Sequence, residues 1–199
     1  MRIKRHEQKV QTRRKILDTA FRLYGTTGFS TSTHSIAQET GLSHGAIFVH
    51  FPTRENLQLQ VLEKFTREVG DKLHKLSKTG GTISELLYAH IGVLEEYESF
   101  YKNLISEISL LPEQTRILLI SLHSVMSVHF GEVIERDRRK GRIKDIPLHV
   151  LFNTWLGLLH YYLQNSDLFT SGDSVLKQRK EELVNNFILL ISNQGEGKK

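Results

Sequence analysis

The sequence predicts an all-α protein with a small head and a larger body, and three observations predict it. Apolar residues recur every three or four positions along most of the 199 residues, and no alternating strand pattern persists. The stretch from Thr33 to Phe51, THSIAQETGLSHGAIFVHF, scans as two short helices joined by a tight glycine turn. Positive charge gathers in the same end. Residues 1–54 hold nine Lys/Arg against three acids, a net of +6, which leaves 18 basic and 19 acidic residues in 55–199. Helix, glycine turn, helix is the helix-turn-helix plan, whose second helix enters the DNA major groove. A basic end on a near-neutral body is the electrostatic footprint of a DNA-binding head. Separately, a helical hairpin or a solvated charge run would mean little; their coincidence favours DNA.

Composition narrows the class further. Hydrophobic and charged fractions of 39% and 25% are those of an ordinary globular protein. There is no cysteine, which excludes disulfides, a thiolate zinc finger and a cysteine nucleophile. No apolar run is expected to reach the ~18 residues that span a membrane. The basic start MRIKRHEQKVQTRRK has no apolar stretch after it, so a cytoplasmic location is expected.

Taken in order, residues 1–8 read as a flexible basic arm. Residues 9–25 form the first helix, with Val10, Ile16, Leu17, Ala20, Phe21, Leu23 and Tyr24 at helical spacing. Arg13, Arg14 and Lys15 stand near its start, where cations oppose the helix dipole, so phosphate is a candidate reason for them. Gly25 to Gly28 end the helix. In the motif, Ile36 and Ala37 are apolar, and Gly41 sits where a positive φ is wanted. Ser43 can cap the second helix, which offers Ala46, Ile47, Phe48 and Phe51 as apolar positions. Pro52 stops it, and a linking helix runs from about Arg54 to Ser77, ended by Lys78-Thr79-Gly80-Gly81. Thr82 opens the next helix, with Glu85 three residues on as a capping box. Further helices span Phe100 to Leu111, Glu113 to Lys140, Pro147 to about Gln164, and Ser174 to Ser192, followed by a disordered tail.

The run GLSHGAIFVHFPTRENL resembles the DNA-binding domain of the TetR family of bacterial regulators, over roughly residues 10 to 62. The resemblance implies a helix-turn-helix DNA-binding domain with its basic arm in 1–53, and a helical ligand-binding and dimerisation domain in 54–199. Thr33, at the start of the first motif helix, suits a phosphate or simply caps that helix. By the family analogy His50 and Arg54 hold backbone phosphates, while His34, Ser35, His44, Gly45 and Ala46 face the bases. His44 can donate to guanine, and Ala46 can touch a thymine methyl. Phe48 departs from the family's usual Tyr and cannot donate to a phosphate. The loop between Gly28 and Ile36 is one residue shorter than the common pattern.

The body carries an aromatic set with polar tips. Tyr97, Tyr101, Asn103, His123, Phe130, Phe152 and Trp155 are candidates for a small-molecule pocket, although an aromatic stripe is also how a core is built. The helix from Pro147 to Leu163 looks apolar on nearly every side and so calls for cover. Burial at the centre of a monomer would supply it, as would the homodimer that the resemblance implies, through Leu156, Leu159, Leu163, Leu183, Phe187 and Ile191, whose two-fold axis would demand a near-palindromic operator. No HxxxH or HExxH spacing, glycine-rich phosphate loop or nucleophile elbow occurs, so no metal, no cofactor and no catalysis is expected. The expected function is therefore a ligand-responsive repressor. The alternative is a DNA-binding interaction protein governed by a protein partner.

Overall fold

The computed structural model describes residues 2–77, 81–172 and 174–193. Among them are nine α-helices: α1 Arg2–Thr27, α2 Thr33–Thr40, α3 His44–His50, α4 Arg54–Ser77, α5 Ile83–Glu95, α6 Glu98–Glu107, α7 Glu113–Arg139, α8 Leu148–Gln164 and α9 Val175–Ile191. Among the described residues no strand forms, only one antiparallel bridge between Ile143 and Ser192. The all-α class is borne out. The linker residues 78–80 and most of the expected tail, 194–199, lie outside the described residues.

Two expectations change. The basic arm is not a coil, since α1 already begins at Arg2. Apart from Ile3 and His6, residues 2–8 are Arg, Lys, Glu and Gln, residue types that lose little freedom in a helix. Arg13 to Lys15 therefore lie mid-helix, and the dipole argument for them lapses. The second change concerns α7, which is long and apolar enough to cross a membrane by length and composition, with a stretch of mean hydropathy 1.6. Its buried residues Leu119, Leu122, Met126, Phe130, Val133 and Ile134 instead follow the spacing of a helix with one packed side.

The described chain divides into two compact units, Met1–Arg67 with Ser99–Leu119, and Glu68–Glu98 with Ile120–Lys199. In the first, Ile16, Ala20 and Tyr24 of α1 are fully buried, as are Ile36 of α2, Ile47 of α3 and Leu57, Val61, Leu62 and Phe65 of α4. Phe100 of α6 stacks on Phe21 with centroids 4.2 Å apart and tilts against Phe65 at 5.0 Å. Asn103 donates from Nδ2 to the carbonyls of Tyr24 and Gly25, at 2.8 and 2.9 Å, which satisfies two of the open acceptors at the end of α1.

In the second unit α9 packs on α5 and α8. Trp155, Phe130 and Phe187 are fully buried, and Phe130 meets Phe152 edge-on at 5.6 Å. The capping box at α5 forms as the sequence implies: Thr82 Oγ1 accepts from the Glu85 amide, and the Glu85 carboxylate accepts from the Thr82 amide. Glu98 caps α9 from α6, accepting from the amides of Val175 at 2.8 Å and Leu176 at 3.3 Å. This carboxylate on a helix N-terminus is favoured by the dipole and by the free N–H groups together.

Candidate nucleic-acid interface

The motif folds around its turn. Ser32, not Thr33, caps α2: its hydroxyl accepts from the Ser35 amide at 3.0 Å. Gly41 ends α2 in the left-handed region, φ 67°, and its N–H reaches the carbonyls of Ala37 and Gln38. Only a residue without Cβ takes that conformation cheaply, so Gly41→Ala should cost about 1 kcal/mol, read as a lowered thermal midpoint. Ser43 caps α3, accepting from the Ala46 amide at 3.3 Å. Ile47 and Phe51 then anchor α3 with no exposed surface. Phe48 and Val49, by contrast, are 38% and 72% exposed, so Phe48 is not part of the inner face.

The base-facing candidates do stand together in the open. His34 and Ser35 on α2 and His44 and Gly45 on α3 are all exposed, and Ala46 is half-buried behind them. The rings of His34 and His44 are 5.8 Å apart, and His44 meets Phe48 edge-on at 5.0 Å. Thr33 Oγ1 lies 2.9 Å from His44 Nε2, tying the starts of the two helices to each other. A Cβ built on Gly45 would meet nothing within 4 Å, so that position is open to an approaching backbone.

The three phosphate candidates fare differently. Thr33 opens α2 and is half-buried. The His50 carbonyl accepts from Arg13, and burial, followed by the charges of Lys9 and Arg13, lowers the imidazole pKa. Arg54 turns inward, donating from Nη2 to the Phe29 carbonyl at 2.6 Å beside Gln58, which donates to the same oxygen at 3.1 Å.

Arg13, which the sequence offered only as a phosphate candidate, has a structural role that sequence reasoning missed. Its guanidinium lies 4.3 Å over the Phe51 ring, donates to the His50 carbonyl at 2.8 Å and bonds Gln60. It thereby clasps α1 and α4 to the C-terminal end of α3, where a cation is also favoured by the dipole. The signal was present in its spacing: Arg13 falls three residues before Ile16, on the same face. Arg13→Ala should lower the thermal midpoint by the loss of about 1–3 kcal/mol, because it leaves an end carbonyl of α3 and the face of the buried Phe51 ring uncovered.

The seven pocket candidates are divided between the two units. Tyr101 and Asn103 belong to the first unit, where Asn103 is spent on the end of α1. In the second unit Phe130, Phe152 and Trp155 are core. Tyr97 is half-buried and donates to Glu68 at 3.3 Å. His123 is half-buried with its ring 5.9 Å from His160. Close by is a polar centre the sequence did not single out. His90 of α5 is buried and accepts the Trp155 Nε1–H at Nδ1, 2.9 Å away. Burial, with His123 and His160 adding to it, lowers the His90 pKa to about 3. Burial likewise lowers His123 to about 4 and holds His160 below its ordinary value. A separate cleft of about 420 Å³ opens in the first unit among Phe29, Arg54, Gln58, Glu107 and Leu111.

The six residues chosen for a dimer contact are interior to the single chain: Leu159, Leu163 and Phe187 are fully buried and Leu156, Leu183 and Ile191 nearly so. Helix α8 is not apolar all round. It leaves Val150, Asn153, Thr154, Gly157 and Tyr161 exposed along one side, and α9 leaves Leu189 and Leu190.

A family model described as bacterial regulatory proteins, tetR family, matches residues 16–61. The chain is 27% identical over 143 residues to the Bacillus subtilis HTH-type transcriptional regulator YerO, itself uncharacterized, covering 63% of this chain and 49% of that one. It is 35% identical over 95 residues to the HTH-type transcriptional regulator AcrR of Shigella flexneri, covering 46% and 44%. The chain thus spans about half the length of these curated relatives or less. Its fold is shared with a Saccharomonospora viridis protein solved in complex with choline, at a TM-score of 0.77 and 24% identity over 93% of this chain and 100% of that one. A TetR-family regulator of Agrobacterium tumefaciens shares it too, at 0.77 and 20% identity over the same shares. The matched segment begins in α1 and ends in α4, taking in the whole helix-turn-helix, so this part of the chain is similar to the tetR family of bacterial regulatory proteins, and the fold is shared with a TetR-family structure.

Proposed function

We propose that the protein is a cytoplasmic DNA-binding transcriptional regulator, a repressor whose hold on a near-palindromic operator is released by a small molecule. The observation that carries this is the start of α3. It is anchored from below by Ile47 and Phe51, and it exposes His44 and Gly45 beside His34 and Ser35 of α2. In this reading residues 1–53 act on DNA, and 54–199 bind the effector and a second copy. His44, Gly45 and Ala46, with His34 and Ser35, face the bases, while Thr33 and His50 meet phosphates. A phosphate role for Arg54 competes with its bond to Phe29. Arg54→Ala tests this directly. A role on phosphate lowers the salt slope by about one with stability kept, whereas a role on Phe29 lowers the thermal midpoint with the slope kept.

The test of the reading is selection of a preferred duplex from a random pool by the full chain, at stated salt. An enriched near-palindrome supports it; steeply salt-dependent binding with no enriched site refutes it. His44→Ala should then relax preference at one base pair, at a cost of about 1–3 kcal/mol.

Two copies would meet on the sides of α8 and α9 that the single chain leaves open, around Tyr161, Leu189 and Leu190, with Gly157 allowing close approach. Leu189→Asp with Tyr161→Asp should convert a dimer to a monomer in sedimentation without unfolding it. The effector would bind in the second unit near His123 and Trp155, where polar groups stand inside an apolar interior. The structural relative that holds choline lends support to a small-molecule effector. Effector that binds tightly but leaves operator affinity unchanged would refute the release mechanism.

A further inference from the structure

The exposed side of α3 has an unusual chemistry for a surface assigned to DNA. Its outward residues are His44, Gly45, Phe48 and Val49, which fall at successive turns of one side. Neither α2 nor α3 carries a lysine or arginine, and the basic side chains of the head lie chiefly on α1. The one polar reader on α3, His44, already has Nε2 engaged with Thr33 and its ring against Phe48. What remains is apolar: Val49 at 72% exposed and Phe48 at 38%. Neither side chain anchors the helix, which Ile47, Phe51 and the Arg13 guanidinium hold.

The major-groove edges of the four base pairs offer polar groups and a single apolar one, the C5-methyl of thymine. We propose that Phe48 and Val49 are specificity-determining residues that read thymine methyl groups, and that the operator half-site carries thymines under the middle of α3. This rests on the DNA-binding reading above. The charge agrees with the occupant: residues 1–54 carry a net of +6 with most of their cations on α1, while the outward side of α3 is largely apolar.

The test uses the full chain and the duplex it selects. Each thymine of a half-site is replaced in turn by deoxyuridine, which removes only the methyl and keeps the pairing. One or two positions per half-site should weaken binding about fourfold each, the value of one buried methyl-sized group. With Val49→Ala or Phe48→Ala that discrimination should fall close to one at the matching position. The thermal midpoint should hold, since both residues are exposed. A selected duplex that tolerates deoxyuridine everywhere, or whose half-site has no thymine, overturns this proposal and leaves the DNA-binding reading standing. No selected duplex at all overturns both.

Discussion

Trp155→Ala should destabilise the second unit by about 3–5 kcal/mol, the largest single effect expected of any one side chain here. The indole is fully buried, with Phe187 5.1 Å away centroid to centroid, and its N–H is the partner of His90. The alanine variant opens a cavity among aromatic rings that cannot collapse onto it, and it also strips an acceptor of its donor. Trp155→Phe separates the two losses. It keeps much of the volume and leaves His90 Nδ1 without its donor, so it should cost about 1–3 kcal/mol. Denaturant midpoints of the two variants measure the difference. Equal, small losses would show that the site relaxes freely and that the bond to His90 adds nothing.

Acid should unfold this protein earlier than its carboxylates alone would make it do. His90 and His123 have folded-state pKa values of about 3 and about 4, and His160 is shifted in the same direction, each chiefly by burial. The ordinary value is 6.5. As pH falls below that value the unfolded chain takes up protons that the folded chain refuses, so stability drops, and the drop continues until pH reaches the folded values. Each refused proton steepens the slope by about 1.4 kcal/mol per pH unit, and His160 acts in the same direction as His90 and His123. Denaturation midpoints at pH 7, 6, 5 and 4 give the slope. His123→Leu should flatten it between pH 6 and 4 relative to the native chain, and an unchanged slope would show that His123 is already protonated when folded.

Much of the fold was legible because local rules decide it. Ser43, Gly41, Thr82 with Glu85, and the stop at Pro52 each act within four residues, and each formed as their chemistry requires. The reading of α8 went astray for the opposite reason. Counting Leu148, Leu158 and Tyr162 as apolar made the helix look covered on all sides, yet Asn153, Thr154 and Gly157 line up on one side once the turns are laid out. The pocket candidates were chosen by residue type, and type does not say which helices meet. Asn103 proved to be tied to the end of α1, and the polar centre formed instead around His90, a residue that nothing in its neighbourhood of sequence marks as special. Arg13 was hidden by its company. In a run of three cations only its place above Ile16 separates a clasp from a charged surface.

The clasp has a consequence for how such a head can change its target. What holds α3 in place, Ile47, Phe51 and the Arg13 guanidinium, shares no position with what α3 shows outward, His44, Gly45, Phe48 and Val49. Support and outward display thus fall on separate positions of His44–Phe51, with Arg13 reaching in from α1. On the proposed DNA-binding reading, a library confined to the four outward positions could be searched for new duplex preferences with the scaffold left intact, and lineages drifting at those positions would change operators without passing through an unstable intermediate.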